Sequence, residues 1–346
     1  MTLSNTSRLS EKIPWAALLT LVLMLFFEFG VKFFLPHEIQ MSHLYDRFYP
    51  ANRIPTFEES VIQWQVHSLL NLEKPPDVLL FGDSSCLVGL IPNVFSRQTT
   101  LSALNLGTIS WLSTAGHSEM LELLVRKCGP PKIAVYHIAH TTLEWSPQYL
   151  EMVGYLGRFR EWTSSVAGGG LKRNFFLPAN LPSHGCFVKL KCLFSKFEDN
   201  PNMLTRRGHH LSDEGVRAML EETGGYYEET RPGNWDKPIV FESRFNSVCI
   251  PGLRRMFEIS RRYHFPLSVV LVPIPEAARN QKTEGTFRDY YMKLNNIAKE
   301  YQNVSIATPI IRYYPNNMCN GTAHLLKSGA VQNSLQLSHA IRNSLN

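Results

Sequence analysis

Apolar residues fall into two kinds of run along this chain, one long and several short. The long run, residues 13–35, is almost entirely apolar and is broken by Glu28, Gly30 and Lys32. A stretch of about 20 such residues crosses a bilayer. It is longer than the core of a signal peptide, and Phe33-Phe-Leu-Pro36 is too bulky for a cleavage site. The pattern predicts a single uncleaved signal anchor, with a cleaved signal or a buried core helix as the alternatives. Arg8 and Lys12 precede it, which puts the amino terminus in the cytoplasm and the bulk of the chain outside. Glu28 and Lys32 stand four apart and pair near the outer interface, unless the carboxylate serves a protein partner or a polar path.

The short runs mark a sheet. Val78 to Phe81 closed by Gly82, Leu104 to Gly107, Lys132 to Ile138, Leu267 to Val272 and Val304 to Ala307 are compact and largely apolar. Strands covered on both faces look like this, whereas a half-exposed strand alternates. Helical patterns lie between or beside them: Glu58–Leu72, a short helix at Ile91–Phe95 with Pro92 in its first turn, Ser113–Cys128, Phe245–Tyr263, Tyr290–Tyr301, and a last helix after Ala330. Strands alternating with helices imply an α/β fold, a flavodoxin-like parallel sheet of about five strands with helices on both faces, as a three-layer sandwich. Residues 1–36 read as cytoplasmic tail and anchor, and 37–75 as a proline-punctuated stalk with one amphipathic helix. Residues 76–346 read as the α/β domain, in which the irregular stretch of about 145–240 is a lid inserted after the third strand.

Composition narrows the partners. The net charge of +6 is dispersed in short pairs such as Arg206-Arg207, Arg254-Arg255 and Arg261-Arg262. No basic tract of the kind that binds nucleic acid is formed, and the last two pairs fit a solvated helix face. The six cysteines (86, 128, 186, 192, 249 and 319) show neither a CxxC pair nor a zinc spacing. Outside the cytoplasm Cys186 and Cys192 are the obvious local pair; all six as small buried hydrophobes is the other reading. His209, His210, Asp213 and Glu214 invite a metal, but their spacing fits a capped helix start better, so no cofactor is expected.

The chemistry begins at Asp77-Val-Leu-Leu-Phe-Gly-Asp-Ser-Ser-Cys86. A strand that runs into such a turn delivers Ser84 to the carboxyl end of the sheet, where ligands bind. At the start of a helix it sits among backbone N–H groups that stabilise an anion. Ser84 is the candidate nucleophile; a polar helix cap is the plainer reading. Cys319-Asn-Gly-Thr-Ala-His-Leu-Leu-Lys-Ser-Gly-Ala330 offers His324 as general base ahead of the last helix. Asn320-Gly-Thr322 is also a glycosylation sequon, relevant only in a eukaryotic secretory pathway.

Phe81-Gly-Asp-Ser-Ser85 resembles the first block of the SGNH (GDSL-type) hydrolases, and the later stretches follow in that family's order, over roughly residues 76–145 and 250–345. The resemblance implies Ser84 as nucleophile and the Ser84 N–H as an oxyanion donor. It assigns a second donor, the N–H of Gly107, from the second block, and makes His324 the base from the fifth. Two departures stand out. Where the third block should read Gly-x-Asn-Asp, the chain has Ala139-His-Thr-Thr142, leaving His140 or Thr141 as substitute donors. Loss of one such donor typically costs about 10²–10³ in turnover. Where the fifth block should carry an aspartate three residues before the histidine stands Gly321, with Asn320 beside it. Losing the triad carboxylate costs about 10⁴. Asn320 or its main-chain carbonyl, Glu144 and Glu276, near strand ends, are the available orienters. The anchor and layout together are similar to the accessory proteins that work beside membrane-bound O-acyltransferases. The expectation is a membrane-anchored, extracytoplasmic serine esterase or O-acyltransferase working on acyl esters of a cell-surface glycan. Its partners would be an acylated glycan or acyl donor and a membrane-bound O-acyltransferase. The alternative is a catalytically impaired protein of the same fold that binds them.

Overall fold

The computed structural model describes residues 57–157, 159–160, 219–235, 239, 241 and 244–345, together with residue 23. Residues 55–169 and 205–346 make up one compact unit, which holds every element described below. The anchor at 13–35, Cys186, Cys192, Arg206-Arg207 and the cluster from His209 to Glu214 lie outside the described residues. No helix among the described residues is long and apolar enough to cross a membrane.

The sheet has five parallel strands: β1 (Val78–Gly82), β2 (Ala103–Gly107), β3 (Ile133–Ile138), β4 (Leu267–Leu271) and β6 (Val304–Ile306), in the order β2-β1-β3-β4-β6. All four ladders are parallel, with Gly82 opposite Gly107 on one side and opposite His137 on the other. Every residue of β1 and β3 is buried, which requires cover on both faces. The helices supply it: α4 (Ser113–Cys128) packs against α6 (Ile250–Arg262), while α8 (Lys327–Leu345) packs against α2 (Ser84–Gly89) and α3 (Pro92–Thr99). Successive connections leave β1 in opposite directions, to β2 and then past β1 to β3. The carboxyl end of β1 is therefore the topological switch point, where ligands bind in such sheets.

Leu80 sits at the centre of β1 with no exposed surface, clustered with Val135, Cys86, Leu90, Phe95 and Ile341. Leu80→Ala is expected to destabilise the fold by about 2–5 kcal/mol, read as a lower midpoint in urea unfolding.

Several boundaries differ from the pattern's prediction. Helix α1 (Phe57–Leu70) belongs to the domain rather than to a stalk: Gln65 Nε2 donates to Gly107 O at 2.9 Å, and Val61 and Trp64 pack on Leu87, Val88 and Leu220. Its buried positions include Gln65 as well as Val61, Ile62, Trp64, Val66 and Leu69, so it is embedded rather than simply amphipathic. Helix α7 spans Gln281–Ala298, starting earlier than Tyr290 because the Asn280 side chain accepts from Thr283 N at 2.9 Å. A short α5 (Pro147–Val153) follows β3. Two small pairings stand apart from the main sheet: β5 (Ile274–Pro275) with β7 (Tyr313–Tyr314), and β8 (Cys319–Asn320) with β9 (His324–Leu325). The basic pairs of α6 are matched by acids: Arg254 by Glu300, Arg255 by Glu119 and Glu122, Arg261 and Arg262 by Glu258. Cys86, Cys249 and Cys319 are buried free thiols, and Cys128 is a half-buried one.

Candidate active site

Asp83 closes β1 and caps α2: its side chain accepts from Ser85 N at 2.8 Å. Ser84 thereby becomes the first helical residue at the carboxyl end of β1. Its own N–H has no partner among the described residues and points from a helix start, where an anion is stabilised.

His324 arrives from the far end of the chain. Strands β8 and β9 form a hairpin that pairs Asn320 with His324, and its turn passes through Gly321 at φ 70°. A side chain is strained in that left-handed conformation, a physical reason for glycine where an aspartate was expected. The hairpin sets His324 Nε2 2.8 Å from Ser84 Oγ. With the imidazole 30% exposed, the pair lies at the surface rather than in the core.

The third member is a residue that sequence reasoning did not single out. Residues 223–233 run along the domain as a strap. Gly224 O accepts from Asn105 N at 2.9 Å, Tyr227 N donates to Leu87 O at 2.9 Å, and Gly233 N donates to Cys319 O at 3.3 Å. This course carries Glu229 from the β2 edge, past α2, to the hairpin. Its Oε2 lies 3.7 Å from His324 Nδ1, the ring nitrogen turned away from Ser84. That is an ionic distance, longer than a hydrogen bond, and unliganded sites of this type tighten when the ring becomes charged. Burial works to raise the Glu229 carboxyl, but the His324 ring, the Arg231 N–H at 3.0 Å and the Asn320 amide together hold it down to about 2. Beside it Glu228 pairs with Lys327 at 3.0 Å.

The other proposed orienters are placed elsewhere. Asn320 helps to hold the Glu229 carboxyl down, and among the described residues no hydrogen bond joins its side chain to the ring of His324. Glu144 accepts from Tyr290 OH at 2.7 Å and lies 4.0 Å from His140 Nε2. Glu276 is bound by Arg279 at 2.8 Å, on the exposed turn after β5.

The oxyanion assignments also change. Gly107 N–H donates to Asn105 Oδ1 at 2.7 Å and is not free for substrate. The glycine is required for packing: a Cβ there would meet Leu87 N at 2.4 Å, where α2 crosses the strand. Asn105 also donates to Cys86 O and Leu90 O, so it braces both ends of that crossing. His140 is buried edge-on against Phe241 and Phe287, and desolvation lowers it to about 4, so its ring is neutral. Its Nδ1 has no partner, and no hydrogen bond joins it to Ser84. Thr141 is half-buried in the turn after β3, likewise without a hydrogen bond to the pair among the described residues. Of the donors considered, the Ser84 N–H remains.

Among the described residues no group of three His, Cys, Asp or Glu is arranged to hold a metal ion. The arrangement that does exist is a hydroxyl, an imidazole and a carboxylate in line, the order needed to activate a nucleophile. Comparison with known proteins adds no name to this geometry: no family model matches the chain, and no curated protein matches it.

Proposed function

We propose that this protein is a serine esterase or O-acyltransferase of SGNH type, membrane-anchored through residues 13–35, with its α/β domain outside the cytoplasm. The observation that carries the reading is the 2.8 Å approach of Ser84 Oγ to His324 Nε2, with Glu229 on the opposite ring nitrogen. A carboxylate only accepts, so the proton on Nδ1 faces Glu229 and Nε2 accepts from the Ser84 hydroxyl. Ser84 Oγ attacks an acyl carbonyl and its proton passes to Nε2. Glu229 stabilises the imidazolium, and the Ser84 N–H receives the oxyanion. Collapse expels the alcohol, which takes the proton from His324. Water or a second hydroxyl then accepts the acyl group by the reverse sequence. The substrate class, acyl esters of a cell-surface glycan, rests on the resemblance and the predicted anchor, as does a membrane-bound O-acyltransferase as partner.

One observation favours a second reading, an impaired enzyme that binds its glycan or partner. The N–H of Gly107 is occupied, which leaves the oxyanion short of a donor; one donor is worth about 10²–10³ in turnover. Labelling with a serine-directed fluorophosphonate, followed by peptide mapping, separates the two. An adduct on Ser84 is the expected result. Its absence from folded protein, with no Ser84-dependent release of acid from acetylated glycan, would give the binding reading precedence.

A further inference from the structure

Two charges near the nucleophile lack an ordinary partner. Asp83 has no exposed surface and no Lys or Arg against it; Arg312 has no carboxylate against it among the described residues. From Arg312 a chain of buried polar side chains runs to Ser85, whose backbone N–H is held by Asp83. Arg312 Nη1 donates to Asn333 Oδ1 at 2.6 Å, and Nη2 donates to Leu271 O at 3.0 Å. Asn333 Nδ2 lies 3.1 Å from both Gly89 O and His137 Nε2. His137 Nδ1 lies 3.3 Å from Ser85 Oγ, and the Ser85 backbone N–H donates to Asp83 Oδ1 at 2.8 Å. Asn333, His137 and Ser85 have no exposed surface.

The direction of each bond follows from the Arg312 end. A guanidinium only donates, so the Asn333 oxygen must face Arg312 and its amide hydrogens must face Gly89 and His137. His137 Nε2 is then an acceptor, which puts the ring proton on Nδ1, facing Ser85. Ser85 Oγ is the acceptor there. The Asp83 oxygens accept from Ser85 N and Ala139 N, both at 2.8 Å, and from the Thr142 hydroxyl. Burial raises this carboxyl above its ordinary value, and the donors from Ser85, Thr142 and Ala139 work against that rise.

We propose that Arg312 sets the direction of a hydrogen-bond chain through Asn333 and His137 to Ser85, and that this one-way chain positions the turn that carries Ser84. Its signature is a neutral His137 with the proton on Nδ1. Burial, reinforced by the charge of Arg312, pushes His137 well below its ordinary value, in keeping with a neutral ring. The chain links the loop before β7, α8, β3 and α2, and it ends on Ser85, directly after the nucleophile. The positioning role rests on Ser84 being the nucleophile; the proton's location does not.

The test uses full-length protein labelled with ¹⁵N at histidine, with the His137 signals identified by their loss in His137→Asn. The expected spectrum shows a protonated Nδ1 and a bare Nε2. A ring protonated on Nε2, or on both nitrogens at neutral pH, overturns the chain. Asn333→Asp then reverses it. An aspartate keeps an acceptor for Arg312 but can only accept from His137, which drives the proton to Nε2 and makes Ser85 Oγ the donor to Nδ1; it also takes from Gly89 O the donor that the amide supplied. The expected outcome is a switched tautomer, a lower melting temperature from the donor lost at Gly89 O, and kcat lower by about ten- to a hundredfold with KM kept, the scale of a small displacement at a reacting centre. A switched tautomer with unchanged kcat refutes the positioning role. If that variant does not fold, Arg312→Met in comparison with Arg312→Lys takes its place: the lysine must recover kcat that the methionine loses, and equal rates refute the role. A wild-type protein that gives the expected spectrum but no Ser84 adduct would sink the esterase reading alone.

Discussion

Ser84→Ala is expected to lower turnover of an activated acetyl ester by about 10⁶-fold, to the level left by binding alone. The reason is local. Ser84 Oγ is the hydroxyl that His324 Nε2 reaches, at 2.8 Å, and neighbouring Ser85 cannot replace it. Ser85 has no exposed surface and its hydroxyl is engaged with His137. The fold should be unaffected, since Ser84 is half-buried and its side chain makes no other hydrogen bond among the described residues. Initial rates with p-nitrophenyl acetate, beside a circular-dichroism melt, check both statements. Activity within tenfold of wild type would remove Ser84 from the mechanism.

Glu229→Gln should lower kcat by about 10⁴-fold with KM nearly unchanged, because the change removes the stabilisation of an imidazolium that exists only during reaction. The geometry singles out this carboxylate: Glu144 is bound to Tyr290 and Glu276 to Arg279, so their glutamine variants should stay within a few-fold of wild type. Glu228→Gln is the neighbouring control, because its exposed pair with Lys327 is worth at most about 1 kcal/mol. The same substitution carries a pH signature. Glu229 lies at about 2 in the folded chain against 4.5 for a free glutamate, so the stability it contributes is complete above about 4.5 and is lost as pH falls through 2. Thermal melts of wild type and Glu229→Gln should therefore differ most near neutrality and converge in acid. Equal kcat in the two proteins would show that another group orients His324.

How far the chain's pattern reached can be seen strand by strand. The runs at 78–82, 104–107, 133–138, 267–271 and 304–306 were legible because a strand covered on both faces needs a continuous apolar stretch, which few other local structures need. Ser84 and His324 were legible for a related reason: each stands at a fixed offset from an element that the pattern itself predicts, the end of β1 and the start of α8. Helix α1 was misplaced into a stalk because its partner, the β2 edge, is remote in the chain. Glu229 was not legible at all. It sits in Tyr226-Tyr-Glu-Glu-Thr-Arg-Pro232, with no periodicity and no characteristic spacing to Ser84 or His324. It reaches the site because Gly224, Tyr227 and Gly233 bond main-chain groups of Asn105, Leu87 and Cys319.

Gly107 and Gly321 show the same division from the other side. A glycine after a strand looks alike whether its N–H is offered to a ligand or its missing Cβ makes room for a helix, and only the 2.4 Å approach to Leu87 distinguishes them. Gly321 looked like a lost catalytic carboxylate; the left-handed turn explains the glycine, and the carboxylate comes from the strap. By itself, then, the sequence determined the elements, the strand that ends at Ser84, and the serine and histidine brought together there, because each is specified by short-range periodicity and turn chemistry. Tertiary structure alone decided which carboxylate faces His324, which N–H groups are free, and that Arg312 is joined through the core to Ser85. Those depend on distances between residues remote in the chain, and no local pattern encodes them.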